Sequence, residues 1–291
     1  MKFNTASRTA QYMALFRAIE SNRQKNRRLF YDPFAIRFLD KDLKLLANLS
    51  RAPILQDVIP TVIHLNGMGA ISSGIARTKY IDDKLEMTIR EGIKQVIILG
   101  AGFDTRALRL SSLQDILVLE IDHPSTSNFK IARLGYSLQS LPPNVSYYQI
   151  DLQEQTLDEM ADRYKINFDL PTTILWEGVT NYLSAESVSQ TFQFTRKFSK
   201  GLYIIFTYVD KKVLETPESF EGTQKLFKRL KQDEEMWTFG FFPEELPSYL
   251  KWYDLSLIED VNATEYRKRY MPKRKSISKG YEFYRIAYAR R

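Results

Sequence analysis

The sequence predicts an α/β fold in which a seven-stranded sheet carries helices on both faces. Three observations predict it. The first ninety residues show helical periodicity, short apolar runs alternate with helical stretches from residue 95 onward, and two strand-like runs close the chain. Short apolar runs separated by helices are typical of a parallel sheet covered on both faces. We therefore expect an N-terminal helical cover (1–90) and a sheet-containing core (91–291) that form one compact unit.

The N-terminal cover is expected to begin with a helix over residues 9–21, where large side chains recur at helical spacing. A second helix is expected to start at Asp32 and Pro33, because aspartate is a favoured N-cap and proline fits the first helical position. Residues 73–92 predict a third helix, which contains Arg77. The cover should therefore be entirely helical.

The core begins with five strand candidates that alternate with four helical stretches. The strands are expected at 96–99, 117–121, 145–150, 173–176 and 202–208. The helices are expected at 103–112, 124–139, 154–166 and 184–200. This alternation predicts a parallel arrangement of the five strands.

The regular alternation of strands and helices ends after residue 209. Residues 211–238 are charged and helical and look like an inserted segment, and 243–253 predict a further helix. Two closing strands are expected near 254–261 and 283–289. Seven strands with a terminal pair distinguish this layout from a plain dinucleotide-binding domain, which has six parallel strands.

Composition restricts the class of function. The 291 residues contain no cysteine, which excludes disulfides and thiolate ligands, and only two histidines, so we predict no metal site. The N-terminus lacks the apolar segment of a secretory signal. Residues 58–76 lack charged side chains but contain proline, histidine and three glycines, so we expect a buried loop and helix start there and no membrane association. A cytoplasmic location is expected.

The net charge of +7 includes two basic clusters, at 23–28 and 267–275. Such clusters attract acidic partners, nucleic acid among them, but they are more often a solvated basic surface. We favour the solvated surface and do not expect a nucleic-acid partner. The sequence leaves open whether the chain forms a homodimer.

The most informative local segment is the stretch 95–106, QVIILGAGFDTR. An apolar strand ends at Gly100-Ala101-Gly102 and a helix follows, so the backbone can turn tightly and approach a ligand closely. Thr105 stands where a dinucleotide-binding loop has its third glycine, which counts against NAD or FAD. A tight turn without any ligand is the alternative.

Acidic side chains follow three further strand candidates. Asp122 ends the second strand about twenty residues after the glycine loop, where a ribose diol is held in this type of sheet, with Glu120 as the fallback. Asp151 follows the third strand and Glu177 the fourth. Because the carboxyl ends of parallel strands meet at one edge, these acids should share a crevice. Each could instead serve as a helix cap or a solvent-exposed loop acid.

Several motifs occur together in a defined order. They are S-x-T-A at 7–10, LFYDP at 29–33, Arg77 followed by Asp82, LGAGFDTR, EIDHP, Asp151-Leu152, EGVTNYL at 177–183 and YRKRY at 266–270. In this combination the chain resembles the leucine carboxyl methyltransferase family, most of all its bacterial branch of polyketide-type O-methyltransferases. The resemblance implies a class I methyltransferase fold, Rossmann-like, and S-adenosyl-L-methionine as cofactor.

The resemblance also implies roles for individual residues. Arg77 would hold the cofactor carboxylate, as suits a guanidinium group, and Glu177 would lie near its ammonium group. Asp122 would bind the ribose, and Asp151 with Leu152 would frame the adenine. The loop Gly100, Ala101 and Gly102 would lie against the methionine part. Arg8 is a candidate for a second contact to the carboxylate.

The acceptor side is less defined. Tyr182, five residues after Glu177, is expected to face the acceptor, and His123 is a candidate general base, although it could equally close the strand or cap a helix. Tyr12, Arg17 and Tyr31 are candidates from the cover, with core packing or surface exposure as the alternative. Residues 211–238 could form a mobile lid or an inert surface helix.

The function expected from these observations is methyl transfer to a carboxylate or phenolic hydroxyl of a small molecule. Methylation of a protein's C-terminal carboxylate is one alternative, as in the eukaryotic relatives. A methyltransferase that binds nucleic acid through the basic clusters is another, and would show a steep salt dependence. Two further alternatives are a cofactor-binding protein without catalysis and an NAD enzyme.

Overall fold

A computed structural model describes residues 8–67, 69–136, 138, 140–151, 155–199, 201–274 and 279–291. Its helical cover is built from more pieces than the sequence predicts. The α-helices of the cover are α1 (Arg8–Ser21), α2 (Lys41–Leu49), α3 (Leu55–Gly67) and α4 (Ala70–Arg90). The helices over 9–21 and 73–92 are thus confirmed, with α4 starting three residues early.

The helix expected at Asp32 and Pro33 is wrong: only a 3₁₀ turn forms, at Ala35–Phe38. Asp32 does act as a cap, because its carboxylate accepts hydrogen bonds from the backbone N–H groups of Phe34 and Ala35 at 3.1 and 3.0 Å. The same carboxylate is held by Arg17 of α1 at 2.8 Å. The chain then becomes extended at the end of the turn, which prevents a longer helix.

The buried loop expected within 58–76 is also wrong, since α3 and α4 are helical through most of that range. The break between them lies beside Gly69, which has a φ of +101°. A Cβ at this position would lie 2.2 Å from the carbonyl oxygen of Lys279. Glycine is therefore required there both by the backbone conformation and by the close approach of another segment.

The sheet has the strand order β3-β2-β1-β4-β5-β7-β6. All neighbours pair in parallel except β7, which is antiparallel to both β5 and β6. The strands are β1 (Gln95–Leu99), β2 (Leu117–Asp122), β3 (Val145–Gln149), β4 (Thr172–Trp176), β5 (Leu202–Val209), β6 (Ser256–Asn262) and β7 (Tyr284–Arg290). The predicted seven-stranded α/β fold of the class I methyltransferase type is confirmed.

The helices of the core cover both faces of this sheet. They are α5 (Arg106–Arg109), α6 (Pro124–Gly135), α7 (Leu157–Tyr164), α8 (Ala185–Thr195), α9 (Lys212–Glu215), α10 (Thr223–Gln232), α11 (Leu246–Trp252) and α12 (Ala263–Tyr270). The cover packs on one face and α7, α8 and α11 on the other, each over its own buried apolar cluster. Because β1, β4 and β5 are buried along nearly their whole length, their apolar runs are continuous.

Two core helices differ from the prediction. The stretch 103–112 contains only the short α5 and a 3₁₀ turn at Ser111–Leu113. The backbone N–H of Arg106 donates to the Asp104 carboxylate at 2.7 Å, which fixes the start of α5 after the glycine loop. The helix α12 was not predicted at all, although Asn262 and Glu265 form a reciprocal capping box at its start.

The inserted segment 211–238 is helical as expected, with α9, a 3₁₀ turn at Pro217–Ser219 and α10. It packs through Val213, Leu230 and Trp237 onto Phe283 at the entrance to β7. Within the described part of the chain, no single helix has the length and apolarity needed to cross a bilayer.

Candidate functional site

A cavity of about 1120 Å³ opens at the carboxyl ends of β1, β2 and β4. The strand ends form its floor, the cover helices form one side and the inserted segment forms another. In open α/β sheets, ligands bind at this edge, where the order of the strands reverses. Here the reversal falls between β1 and β4. The cavity is therefore the candidate active site.

Most of the residues predicted from the sequence meet in this cavity. Its lining includes Arg77, Gly100, Ala101, Gly102, Asp122, His123, Asp151, Glu177, Tyr182, Tyr12 and Arg17. Tyr31 does not reach it: the ring is 52% exposed and lies 4.1 Å from the guanidinium carbon of Arg28. Leu152 lies outside the described residues. The acids that follow three separate strands thus come together, as the topology required.

The glycine loop is held in a conformation that other residues would strain. Gly100 and Gly102 have φ values of +62° and +49°. A Cβ on Gly100 would lie 2.4 Å from Cγ2 of Val179, so the loop and the segment after β4 touch at this point. The backbone N–H of Gly102 donates to the Asp122 carboxylate. The loop therefore packs closely while one of its amides orients the acid.

Asp122 lies at the end of β2 and faces the cavity. Its carboxylate also accepts from the backbone N–H of His123 at 2.7 Å. Burial raises its pKa above the ordinary value, against the opposing effect of these two N–H donors. The fallback, Glu120, is buried beside Lys130 at 2.5 Å and is not part of the cavity lining. Asp122 is thus the acid of β2 that a ligand in the cavity can meet.

His123 caps helix α6. Its Nδ1 accepts a hydrogen bond from the backbone N–H of Ser125 at 3.2 Å. Its Nε2 lies 3.4 Å from a carboxylate oxygen of Asp151, which also lines the cavity. The capping role that was one option for this histidine is therefore present, and it occupies one ring nitrogen.

Glu177 lies between two arginines. Arg77 donates through Nε to one carboxylate oxygen at 2.8 Å, and Arg106 donates through Nη2 to the other at 2.9 Å. Although burial raises the pKa of Glu177, the guanidinium groups of Arg106 and Arg77 outweigh it and hold that pKa below the ordinary value. Glu177 is therefore ionised at neutral pH and fixed at the cavity floor.

The arginines of α5 extend this contact into a buried ion network. Arg106 also pairs with Asp104 and, at 2.8 Å, with Asp82 of α4. Arg109 bonds the other oxygen of Asp82 at 2.7 Å. Sequence reasoning did not predict a site role for Arg106 or Asp104. The signal was present, since both belong to the LGAGFDTR motif and Asp82 follows Arg77 by five residues.

Arg17 and Asp32 belong to the outer part of the same network. Arg17 donates to Asp32 and, at 2.5 Å, to the carbonyl oxygen of Phe103 in the glycine loop. Thr105 donates to the same Asp32 carboxylate at 2.6 Å. Arg17 therefore ties α1 to the loop through its Nε and Nη2 groups. Thr105, which stands where a dinucleotide-binding loop has its third glycine, is therefore hydrogen-bonded to Asp32 of the cover.

Aromatic hydroxyls surround the opposite end of the cavity. Tyr182 lines it with its hydroxyl 3.5 Å from that of Thr9, and burial raises its pKa to about 12. Tyr12 lies beneath the guanidinium groups of Arg8 and Arg229, at 5.3 and 5.5 Å from the ring centre. Further lining aromatics come from chain segments that carry no motif, namely Trp237, Tyr281 and Tyr284. Only the folded topology brings these segments to the site.

The basic clusters are partly exposed, and several of their arginines pair with other groups of the protein. Arg23 and Arg27 both pair with Asp57, at 2.8 and 2.9 Å. Arg267 is buried and donates to the carbonyl oxygen of Gly280 at 2.5 Å, while Arg274 pairs with the buried Glu20 at 2.8 Å. Among the described residues, no group of three histidines or acids has metal-binding geometry.

Comparison with known proteins agrees with this geometry. The family model for leucine carboxyl methyltransferase matches residues 10–196. A Mycobacterium marinum protein named "Putative S-adenosyl-L-methionine-dependent methyltransferase" is 33% identical over 199 residues, 66% of this chain and 60% of that protein. A Streptomyces coelicolor protein with the same type of name is 29% identical over 62% of this chain and 60% of its own length. The matched region thus spans about 60% of these relatives.

Solved structures share the fold at low sequence identity. The crystal structure of a "putative methyltransferase" from Thermobifida fusca covers the whole chain and 96% of its own, with a TM-score of 0.62 and 16% identity. A "duf574 family" protein from Streptomyces avermitilis gives a TM-score of 0.58 and 12% identity over 96% of this chain and 97% of its own. The family match covers more than half of the sequence and contains the glycine loop, Arg77, Asp122, Asp151 and Glu177. The chain belongs to the leucine carboxyl methyltransferase family.

Proposed function

We propose that the chain is an S-adenosyl-L-methionine-dependent O-methyltransferase that acts on a carboxylate or phenolic hydroxyl of a small molecule. The observation that carries this proposal is the convergence of Arg77, Asp122, Asp151 and Glu177 around a glycine loop in one cavity. The names of the relatives, which refer to the same cofactor, support it. A cytoplasmic location stays part of the proposal.

The cavity residues fit the proposed cofactor group by group. Asp122 is half-buried, faces the cavity and can accept hydrogen bonds from a ribose diol. Glu177 is held ionised, which suits an ammonium group. The hydrogen bonds of Arg77 to Glu177 and Met13 use two of its five N–H donors, so donors remain for a carboxylate. The positive φ values of Gly100 and Gly102 let the backbone pass close to a ligand.

When bound, S-adenosyl-L-methionine supplies a methyl group on a positively charged sulfur, which leaves as a neutral thioether. Arg77, Asp122 and Glu177 would hold this cofactor, and its methyl carbon would be available to an acceptor oxygen while sulfur kept the electron pair of the carbon–sulfur bond. The protein contributes orientation, which can be worth about 7–11 kcal/mol of a reaction barrier. The ion network fixes Arg77 and Glu177, and the buried aromatic side chains exclude water from the acceptor end.

Among the two acceptor types, a carboxylate makes the smaller demand on the protein. It is ionised at neutral pH, whereas a phenol with a pKa of about 10 must lose its proton. Burial raises the pKa of Tyr182 to about 12, so this tyrosine is a hydrogen-bond donor and not a base at neutral pH. His123 uses Nδ1 to cap α6. We therefore place carboxylic acids first in the substrate screen.

The proposal is tested in two steps. Calorimetry should give micromolar or tighter binding of S-adenosyl-L-methionine and no binding of NAD. A screen of carboxylic acids and phenols, read out as S-adenosylhomocysteine formed, should then identify acceptors. Binding of NAD without binding of the sulfonium cofactor would refute the assignment.

A further inference from the structure

Apart from the aromatic end and the inserted segment, the cavity lining has two sides of opposite chemistry. One side carries the charged groups that fit the cofactor. The other is formed by α1, α2, α3 and the start of α4, and we call it the helical wall; it consists of Phe16, Leu43, Leu46, Val62, Ile63 and Ala70. Typical small-molecule pockets measure about 300–1000 Å³, so a cavity of about 1120 Å³ has room for the cofactor and for a second molecule.

The solvent exposure of the side chains increases along the helical wall from its inner to its outer end. Phe16 and Leu43 are buried, Leu46 and Ile63 are half-buried, and Val62 lines the cavity while 51% exposed. Apolar surface therefore continues from the cavity to the outside along α3. Val58, four residues before Val62, and Leu65, three residues after it, extend the same face and are also exposed.

At the inner end of the wall, α1 and α4 pack tightly together. Phe16 and Met13 of α1 pack directly over Gly74 of α4, where a Cβ would lie 3.0 Å from Cδ2 of Phe16. The polar side chain within the wall, Asn66, donates to the carbonyl oxygen of Val62 at 2.9 Å and is thus engaged with its own helix. A ligand on this surface gains by burying hydrocarbon.

We propose that the helical wall binds the hydrocarbon chain of an amphipathic carboxylic acid whose carboxylate is the methyl acceptor. This rests on the proposed function for the reacting group, whereas the chain-binding surface stands on the geometry of the wall. The acid enters as an anion, so no proton has to be removed when its oxygen takes the methyl group. Its product is the methyl ester.

The test is direct binding of hexanoate, octanoate and decanoate by calorimetry, with S-adenosylhomocysteine present so that no turnover occurs. Burial of each added methylene predicts a Kd lower by about fourfold, until the wall is filled. A Kd that does not change with chain length would overturn the proposal.

Two matched variants locate the site. Leu46→Trp fills the wall and should weaken decanoate binding at least about tenfold. Leu45→Trp makes the same change one residue earlier, at a side chain that is 61% exposed and outside the lining, and should leave the Kd unchanged within about twofold. Ile63→Trp on α3 repeats the test if Leu46→Trp does not fold. Equal effects at positions 45 and 46 would contradict the location.

The same acids separate this inference from the proposed function. The affinity for the acids can depend on chain length as expected while S-adenosyl-L-methionine and decanoate yield no S-adenosylhomocysteine. In that case chain binding at the helical wall is supported, and the carboxylate is not the methyl acceptor. If short and long acids are methylated with equal kcat/KM, the proposed methyltransferase function is supported, and chain binding at the helical wall is refuted.

Discussion

At the scale of single residues, the site is organised by carboxylates that already have partners. Glu177 accepts from two arginines, and Asp122 accepts from two backbone N–H groups. The sequence predicted these acids because the topology of a parallel sheet collects strand ends at one edge. It did not predict Arg106, since an arginine after a glycine loop has many possible partners. Which carboxylates it meets depends on how α4 crosses the sheet.

Asp122→Asn tests the ribose assignment. The substitution keeps the shape of the side chain but removes the charge, and hydrogen bonds to charged groups are worth about 1.5–3 kcal/mol. We expect the affinity for S-adenosyl-L-methionine to fall by about 10- to 100-fold in calorimetry. Asp115→Asn, at an exposed position outside the cavity, is the control and should bind normally. Normal affinity in folded Asp122→Asn protein would refute the role.

Gly100→Ala tests the packing of the glycine loop. The added Cβ would meet Val179 at 2.4 Å in a residue with a φ of +62°. The control is Gly92→Ala, which has a φ of +99° but no atom within 4 Å of its Cβ, so it carries the backbone strain alone. We expect Gly100→Ala to lower the free energy of unfolding by about 1–3 kcal/mol more than Gly92→Ala does, measured with urea. Equal losses of unfolding free energy in the two variants would mean that Val179 can move to accommodate the added Cβ.

At the scale of elements, the strands were predictable, whereas only two of the four α-helices of the cover, α1 and α4, were. Each of the first five strands was placed within about two residues, because a strand buried on both faces shows as a continuous apolar run. Helix α3 was missed because the proline and glycines of 58–76 resemble a loop, although Pro60 lies inside α3. Helix α2 begins nine residues after the helix start that was expected at Asp32. The helix expected at Asp32 stops after one 3₁₀ turn, because the backbone becomes extended at Leu39.

Asn262→Ala tests the capping of α12, a helix that packs on α4 beside the cavity. Its side chain accepts from the backbone N–H of Glu265 at 3.0 Å. Loss of such an N-cap costs about 1 kcal/mol, which urea denaturation can resolve. Asn262→Asp retains the acceptor and should remain within about 0.5 kcal/mol of the wild type. A neutral Asn262→Ala would show that packing alone holds the helix.

At the scale of the whole molecule, the ion network joins the cover to the core. Asp32 and Asp82 belong to the cover, whereas Asp104, Arg106 and Arg109 belong to the loop and helix after β1. Sequence reasoning divided the chain near residue 90 from the change in periodicity alone. It could not show that buried charges connect the two parts, because pairing between distant residues leaves no local pattern.

This network predicts a defined sensitivity to acid. Burial raises the pKa of Asp104, but Arg106 and Lys130 outweigh it and hold the pKa at about 2, below the ordinary 3.8. Between those pH values the unfolded state takes up a proton that the folded state does not, so stability falls as the pH falls from about 4 to 2. The shift corresponds to about 2 kcal/mol of stability, present at neutral pH and lost in acid.

Asp104→Asn should therefore reduce the free energy of unfolding at pH 7 and also flatten its dependence on pH between about 4 and 2. Urea denaturation at a series of pH values measures both. Asp162→Asn is the control, because Asp162 is exposed and remote from the network, and it should follow the wild-type curve. Because Arg106 also holds Glu177, the same Asp104 variant should weaken cofactor binding, an effect that Asp162→Asn should not share. A variant that lost stability uniformly at every pH would show that Asp104 acts through packing and not through its charge.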